Sequence, residues 1–174
     1  MKNYFVGELV RLRAMEPEDL EVLYEMENAP ESWDVSNFSV PYSKYTLRRY
    51  IEDSQNDMYA DHQLRLMITR TADGAVVGTI DLTDFSSAHL RGELGIAIRG
   101  PYRSQGYARE ALQLFADYAF SFLHLHQLTA HVAVDNEASI ALFRSCGFRA
   151  CGELKQWWRL GEEYKDVILF QKLK

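Results

Sequence analysis

The chain is 174 residues long, 47% hydrophobic and 25% charged, which supplies a core and excludes disorder or a fibrous repeat. Its net charge of −6 and lack of any long lysine and arginine run argue against nucleic acid as a partner and make a cationic one easier to reconcile. Cys146 and Cys151 form no CxxC pair, "MKNYFVGELVRLR" is charged too early for a signal-peptide core, and no apolar run approaches membrane-spanning length, so the expected setting is cytoplasmic and reducing.

"LVRLR" alternates as a first strand. Pro17 opens a helix in "PEDLEVLYEMENA", where Leu20, Leu23 and Tyr24 repeat on one face. The carboxylates Glu16, Glu18, Asp19, Glu21, Glu25, Glu27, Glu31 and Asp34 crowd this region and read mostly as a solvated face. "APESWDVSNFSVPYS", with Pro30 and Pro41, predicts a long loop before a second helix over 44–54. "LRLMITR", a turn at Asp73 and Gly74, and "AVVGTIDLTDF" predict a hairpin, and "RGELGIAI" completes a meander.

A helix over 106–123 follows, with Ala108, Ala111, Leu112, Phe115, Ala119 and Phe122 on its buried stripe. "LTAHVAV" reads as a short strand suited to burial on both faces. In "DNEASIALFRSCGF", Asp135 or Asn136 caps a further helix and Gly147 ends it in the left-handed conformation. The tail from Phe148 onward predicts two strands about "RLGEE". Without a repeat or linker, the expectation is one α+β domain with a mixed sheet, spanning 1–174.

Two stretches carry chemistry. Arg103-Ser104-Gln105-Gly106-Tyr107-Ala108 places main-chain N–H groups at a helix start, where the helix dipole and Arg103 favour an anion such as a diphosphate. A tight turn without a ligand explains that piece equally well by itself. Neither GxxxxGK[ST] nor GxGxxG occurs, so the two best-known phosphate loops drop out. Farther on, the spacing of Asn136, Ser139 and Phe143 sets them along one helix stripe, while Ala138, Leu142 and Cys146 follow another. One stripe packs and the other can touch a ligand.

Together, Arg103-x-x-Gly106-x-Ala108 and Asn136-x-x-Ser139-x-x-Leu142-Phe143-x-x-x-Gly147-Phe148 resemble the GNAT N-acetyltransferase family. The likeness runs nearly end to end. "RLR" near the start, Glu93 on its strand and Cys151-Gly152-Glu153 near the end are most similar to its ribosomal-protein N-terminal and spermidine N-acetyltransferase branch. The resemblance implies a mostly antiparallel sheet of about seven strands flanked by about four helices. It implies acetyl-CoA as co-substrate, with the diphosphate on Arg103 to Ala108, the pantetheine along Ile96 to Arg99, and Asn136, Ser139 and Phe143 near the thioester. The oxyanion would meet N–H groups of the strand around Ile98.

Acyl transfer to an amine needs a proton acceptor, for which Glu93 is the candidate, through a water, with Asp81 in reserve. The ordinary alternative for Glu93 is an exposed carboxylate paired with Arg91. Many relatives carry tyrosine, an acid for the departing thiolate, where Phe143 stands; phenylalanine has no proton to give, so water or Ser139 is left to serve. The resemblance implies that Trp33, Phe38, Tyr42, Trp157 and Trp158 border the acceptor site, though core packing explains most such aromatics; Trp33 beside Glu31 and Asp34, with Asp81, reads as a receptor for a cationic amine. His124, His126 and His131 lack carboxylates at ligand spacing, so no metal is expected, and Cys146 reads as an inert buried thiol.

The function so implied is direct transfer from acetyl-CoA to a primary amine: a polyamine, a protein N-terminus, an aminoglycoside or another small amine. The acidic charge favours a cationic small molecule, and exposed aromatics hint at a homodimer. The alternatives are a non-catalytic acyl-CoA-binding module and an unrelated nucleotide-binding structural domain.

Overall fold

The computed structural model describes residues 3–30, 40–54 and 57–174. Seven strands form one sheet in the order β1-β2-β3-β4-β5-β7-β6. They are β1 (Val10–Arg13), β2 (Leu64–Arg70), β3 (Val76–Ser86), β4 (Arg91–Ile98), β5 (Gln127–Ala133), β6 (Arg149–Leu160) and β7 (Glu163–Leu173). Every neighbouring pair is antiparallel except β4 and β5, which run parallel. The described α-helices are α1 (Leu20–Glu27), α2 (Lys44–Asp53), α3 (Met58–Asp61), α4 (Tyr107–Asp117) and α5 (Glu137–Ser145). The short α3, capped by Asp57, is an addition to the expected set.

Strand alternation sorts the side chains into two apolar layers. Leu66 and Ile68 of β2 join Ile80, Leu82, Leu112, Phe115, Phe148 and Phe170 on one face of the sheet, beneath α4 and α5. Met67 points the other way and packs with Met15, Leu23 and Ile51 beneath α1 and α2. The sheet is thus covered on both sides.

Two expectations about α4 and β5 change. The helix is regular only to Asp117, after which Tyr118–Phe122 form a π-helical turn with Leu123 N–H donating to Tyr118 O at 3.1 Å. The wider turn breaks the 3.6-residue stripe. Phe122 therefore leaves the core, 62% exposed, and stacks on Tyr118 at 5.6 Å. β5 alternates: Leu128, Ala130 and Val132 are buried while Thr129 and His131 stay half-buried on the opposite face, so the strand is not enclosed on both sides.

Candidate active site

β4 and β5 share only three register pairs, Arg91 with Gln127, Gly92 with Leu128 and Glu93 with Thr129. Beyond Glu93, β4 stays bonded to β3 and β5 stays bonded to β7. The parallel pair therefore opens into a wedge with Glu93 at its apex. Arg99 N–H donates to Val77 O at 2.9 Å, so by strand alternation Ala97 and Gly95 also turn their main chain toward β3, and Leu94, Ile96 and Ile98 turn theirs toward the gap. Leu94 is the last of these to pair with β5; beyond it the Ile96 and Ile98 N–H groups have no partner among the described residues, while Ile98 O takes Arg103 Nε, and such an edge suits an extended, amide-bearing ligand. From apex to Ile98 this edge runs about 16 Å at ~3.3 Å per residue.

The gap is a cleft of about 300 Å³ lined by residues that include Asp81, Glu93, Ile96, Asn136, Ser139 and Phe143. Asn136 caps α5 by accepting Ser139 N–H at 3.1 Å, which fixes both at the cleft wall. Phe143 is 4% exposed and packs against Phe148 and Phe170, so it meets the cleft from the core. Cys146, on the packing stripe, is buried, and burial pushes its thiol pKa up.

Past Ile98 the chain turns into the α4 start. Ser104 and Gly106 both adopt left-handed backbone, φ 61° and 86°, which glycine tolerates and a branched side chain resists. Glu110 N–H is the first in α4 to bond back, to Gly106 O at 3.2 Å. The N–H groups of Gly106, Tyr107 and Ala108 donate to no acceptor among the described residues. Arg103 Nε bonds Ile98 O at 3.0 Å, which holds its guanidinium beside the end of β4, and Gln105 Nε2 bonds Pro101 O at 3.1 Å within the turn. Tyr107 is 8% exposed, so this residue offers its N–H and not its ring. Arg99 turns its guanidinium to Val76 O and Glu25, and Ile98 and Arg99 lie at the cradle end of β4.

A second recess of about 170 Å³ adjoins the cleft and shares Arg65, Asp81, Glu93 and Gly95 with it. Arg65 Nε lies 2.5 Å from Asp81 Oδ1 and its Nη1 2.5 Å from Glu27 Oε1, with Tyr50 beneath the guanidinium. Burial pushes the Arg65 pKa down, but Asp81, Tyr50 and Glu27 outweigh it and hold the arginine above its ordinary value. Asp81 is thus an ion-pair partner with both oxygens on Arg65. Burial raises the Tyr50 pKa, so its phenol stays protonated.

Glu93 does not pair with Arg91, which reaches Asp84 instead. Its Oε1 lies 2.8 Å from Nδ1 of His131. In the sequence His131 reads only as a possible metal ligand, and Arg65 and Tyr50 carry no signal that singles them out; the alternation of Thr129 and His131 on β5 is the signal available for the histidine. Glu31, Trp33, Asp34 and Phe38 lie outside the described residues. Trp158 lines the cleft, Trp157 is exposed, and Tyr42 N–H is tied to Asn28 Oδ1 at 2.9 Å.

The helix start beside Arg103, the open strand edge and the carboxylate at the apex meet along one wedge, an arrangement able to take an anionic, extended, amide-bearing ligand. The family model described as acetyltransferase (GNAT) domain matches residues 10–149. The chain belongs to that family. This GNAT chain is 28% identical over 156 residues to the spermidine N(1)-acetyltransferase of Vibrio cholerae, covering 90% of this chain and 88% of the relative. It is 30% identical to the N-acetyltransferase p20 of Bacillus licheniformis, covering 96% and 94%. A solved structure of the Vibrio cholerae spermidine N-acetyltransferase in complex with CoA and spermine superposes with a TM-score of 0.84 at 26% identity, covering 96% of each chain.

The protein is accordingly an acetyl-CoA-dependent N-acetyltransferase, moving an acetyl group from acetyl-CoA to an amine. These likenesses lend no support to a non-catalytic acyl-CoA-binding module. Among the described residues no helix is long and apolar enough to cross a membrane.

Proposed function

We propose that this N-acetyltransferase acts on a primary amine of a small polyamine-like cation, by direct attack on the thioester in a ternary complex, within one cytoplasmic domain spanning 1–174. The wedge between β4 and β5 carries this reading: it ends in the α4 cradle on one side and opens on the Glu27, Asp81, Glu93 and Arg65 charges on the other.

The diphosphate would rest on the free N–H groups from Gly106 to Ala108 with Arg103 beside them, and the pantetheine amides on the gap-facing groups of Ile96 and Ile98. Transfer then needs three things from this chain. The amine must lose a proton, which the Glu93 end of the cleft can accept. The tetrahedral oxyanion needs donors, which the unpaired N–H groups of β4 supply. The thiolate needs a proton or none, since a simple thiol has a pKa near 8.5 and is a fair leaving group. Among the described residues no activated nucleophile lines the cleft, and direct attack requires no acyl-enzyme.

Three carboxylates against one arginine leave the acceptor side net negative when His131 is neutral, by 3 − 1 = 2 charges among Glu27, Asp81, Glu93 and Arg65. That favours a cation over a neutral amine. The relatives named for spermidine and the neighbour bound to spermine support a polyamine. A protein N-terminus has no such support. Another solved neighbour is described as dodecameric, so we read this chain also as self-associating, to be checked by sedimentation.

The test is release of CoA thiol from acetyl-CoA with spermidine, spermine, aminoglycosides and short peptides. Turnover on polyamines with kcat/KM at least tenfold above that on peptides is expected. Equal or better turnover on peptides would overturn the acceptor assignment, and silence across the panel would overturn the reading as a polyamine transferase.

A further inference from the structure

Phe143 leaves open which group handles the proton at the thioester. We infer that His131, oriented by Glu93, is the proton carrier of the reaction: its Nε2 accepts the proton of the acceptor ammonium and returns it to the departing thiolate. This rests on the reading of the chain as an amine acetyltransferase.

The first ground is position. Glu93 and Thr129 are the last residues at which β4 and β5 pair, and His131 follows two residues later on the same face of β5 as Thr129. It is the histidine that lines the cleft, together with Glu93, Asn136, Ser139 and Phe143. His124 and His126 are exposed outside it.

The second ground is the asymmetry of the ring. Nδ1 is enclosed, lies 2.8 Å from Glu93 Oε1 off the line of an in-plane hydrogen bond, and has no other partner among the described residues. Nε2 is not enclosed in this way and makes no hydrogen bond there. A carboxylate against Nδ1 selects the tautomer with the proton on that nitrogen, and so leaves the Nε2 lone pair as the open one. Small rotations of either side chain would align the pair.

The third ground is charge. Glu93 approaches the imidazole from β4, and the indole of Trp157 on β6 lies parallel to it at 6.4 Å and does not titrate. Across the cleft, Glu27 and Asp81 are held by Arg65. On β7, Lys165 pairs with Asp135 and Asp166 with Lys155. Glu93 is therefore the charge in direct contact, and an imidazolium formed during transfer would face an anion. An imidazole also suits the task better than a carboxylate alone, because one ring nitrogen can be held while the other takes and returns the proton.

The proton count closes. Neutral Nε2 takes one proton from R–NH3+, and the freed lone pair attacks the carbonyl, forming the C–N bond while the carbonyl π pair moves to oxygen. Collapse restores the carbonyl and breaks the C–S bond, whose electron pair leaves on sulfur. The imidazolium gives its proton to that sulfur, and the second proton lost by nitrogen goes to water. The products are the amide, the CoA thiol and one released proton.

The experiment compares pH profiles of kcat/KM for the wild type, His131→Asn and Glu93→Gln, beside 15N NMR of His131 in the unliganded wild type. The wild-type profile should fall on an acid limb that coincides with titration of the His131 ring. His131→Asn should lose on the order of 10²–10⁴-fold in rate and lose that limb. Glu93→Gln should lose less and keep it. A limb retained in His131→Asn and abolished in Glu93→Gln would make Glu93 the base and overturn the proposal. The NMR needs no turnover: a neutral ring protonated on Nδ1 supports the assignment, and one protonated on Nε2 overturns it. Absence of turnover with every amine would instead count against the acceptor reading, with the NMR result still deciding the ring's role.

Discussion

Asp19 looks in the sequence like any of the acidic residues around it, yet it is 4% exposed. Arg13 grips both its oxygens, at 2.7 and 2.8 Å, and Glu16 N–H bonds it at 2.8 Å. Burial raises the Asp19 pKa, but Arg13 and the Glu16 N–H outweigh burial and hold the carboxyl below its ordinary value. A depressed pKa contributes stability that is present above the unfolded value and lost as pH falls through the folded one. Urea melts of Asp19→Asn at neutral pH should show a loss of about 2 kcal/mol. The wild type should lose more stability than the variant as pH falls from about 5 to about 2. Parallel acid slopes would show that Asp19 carries none of the linkage.

At the scale of elements, the passage from β4 through Gly106 into α4 joins strand edge and cradle. Its far side is fixed by Glu110, whose carboxylate accepts N–H groups of Glu8, Leu9 and Val10 at 3.0, 2.8 and 2.7 Å. Gly7 permits that approach, since a Cβ there would sit 2.5 Å from the Glu110 carboxyl carbon. The cradle is therefore clamped to β1. At Gly106, φ 86° is strained for any β-branched residue. Calorimetric titration of Gly106→Val should show acetyl-CoA binding weakened about tenfold, for a backbone cost of roughly 1–2 kcal/mol. Unchanged affinity would remove the diphosphate from this turn.

For the whole molecule, the ligand would bridge parts that the sheet only half joins. The β1–β4 side meets the β5–β7–β6 side along three register pairs before the wedge opens. A ligand in that gap binds the folded state alone. At a hundred times its Kd, acetyl-CoA should add about 2.7 kcal/mol and raise Tm by roughly 5–10 °C. ATP at the same concentration should not. Equal shifts from both would favour a general nucleotide-binding domain, the rival in which the thioester arm has no role.

What the sequence determined was local. Periodicity placed seven strands and the helices α1, α2, α4 and α5, because each element's own residues set its repeat. The turn proposed to hold the diphosphate was legible as a strand-to-helix turn for the same reason: Arg103, Gly106 and Ala108 lie within one turn of chain. The π-helical turn that ejects Phe122 was not, since tertiary packing overrides a helical stripe at its end. The long-range partners were also out of reach. Glu93 and His131 are 38 residues apart (131 − 93), and only the parallel register of β4 with β5 brings them together. Arg65 likewise meets Glu27 and Asp81 because α1 covers the face where β2 and β3 pair. Residue types and spacing named the chemistry; the pairing of distant strands decided which side chains face one another in the cleft.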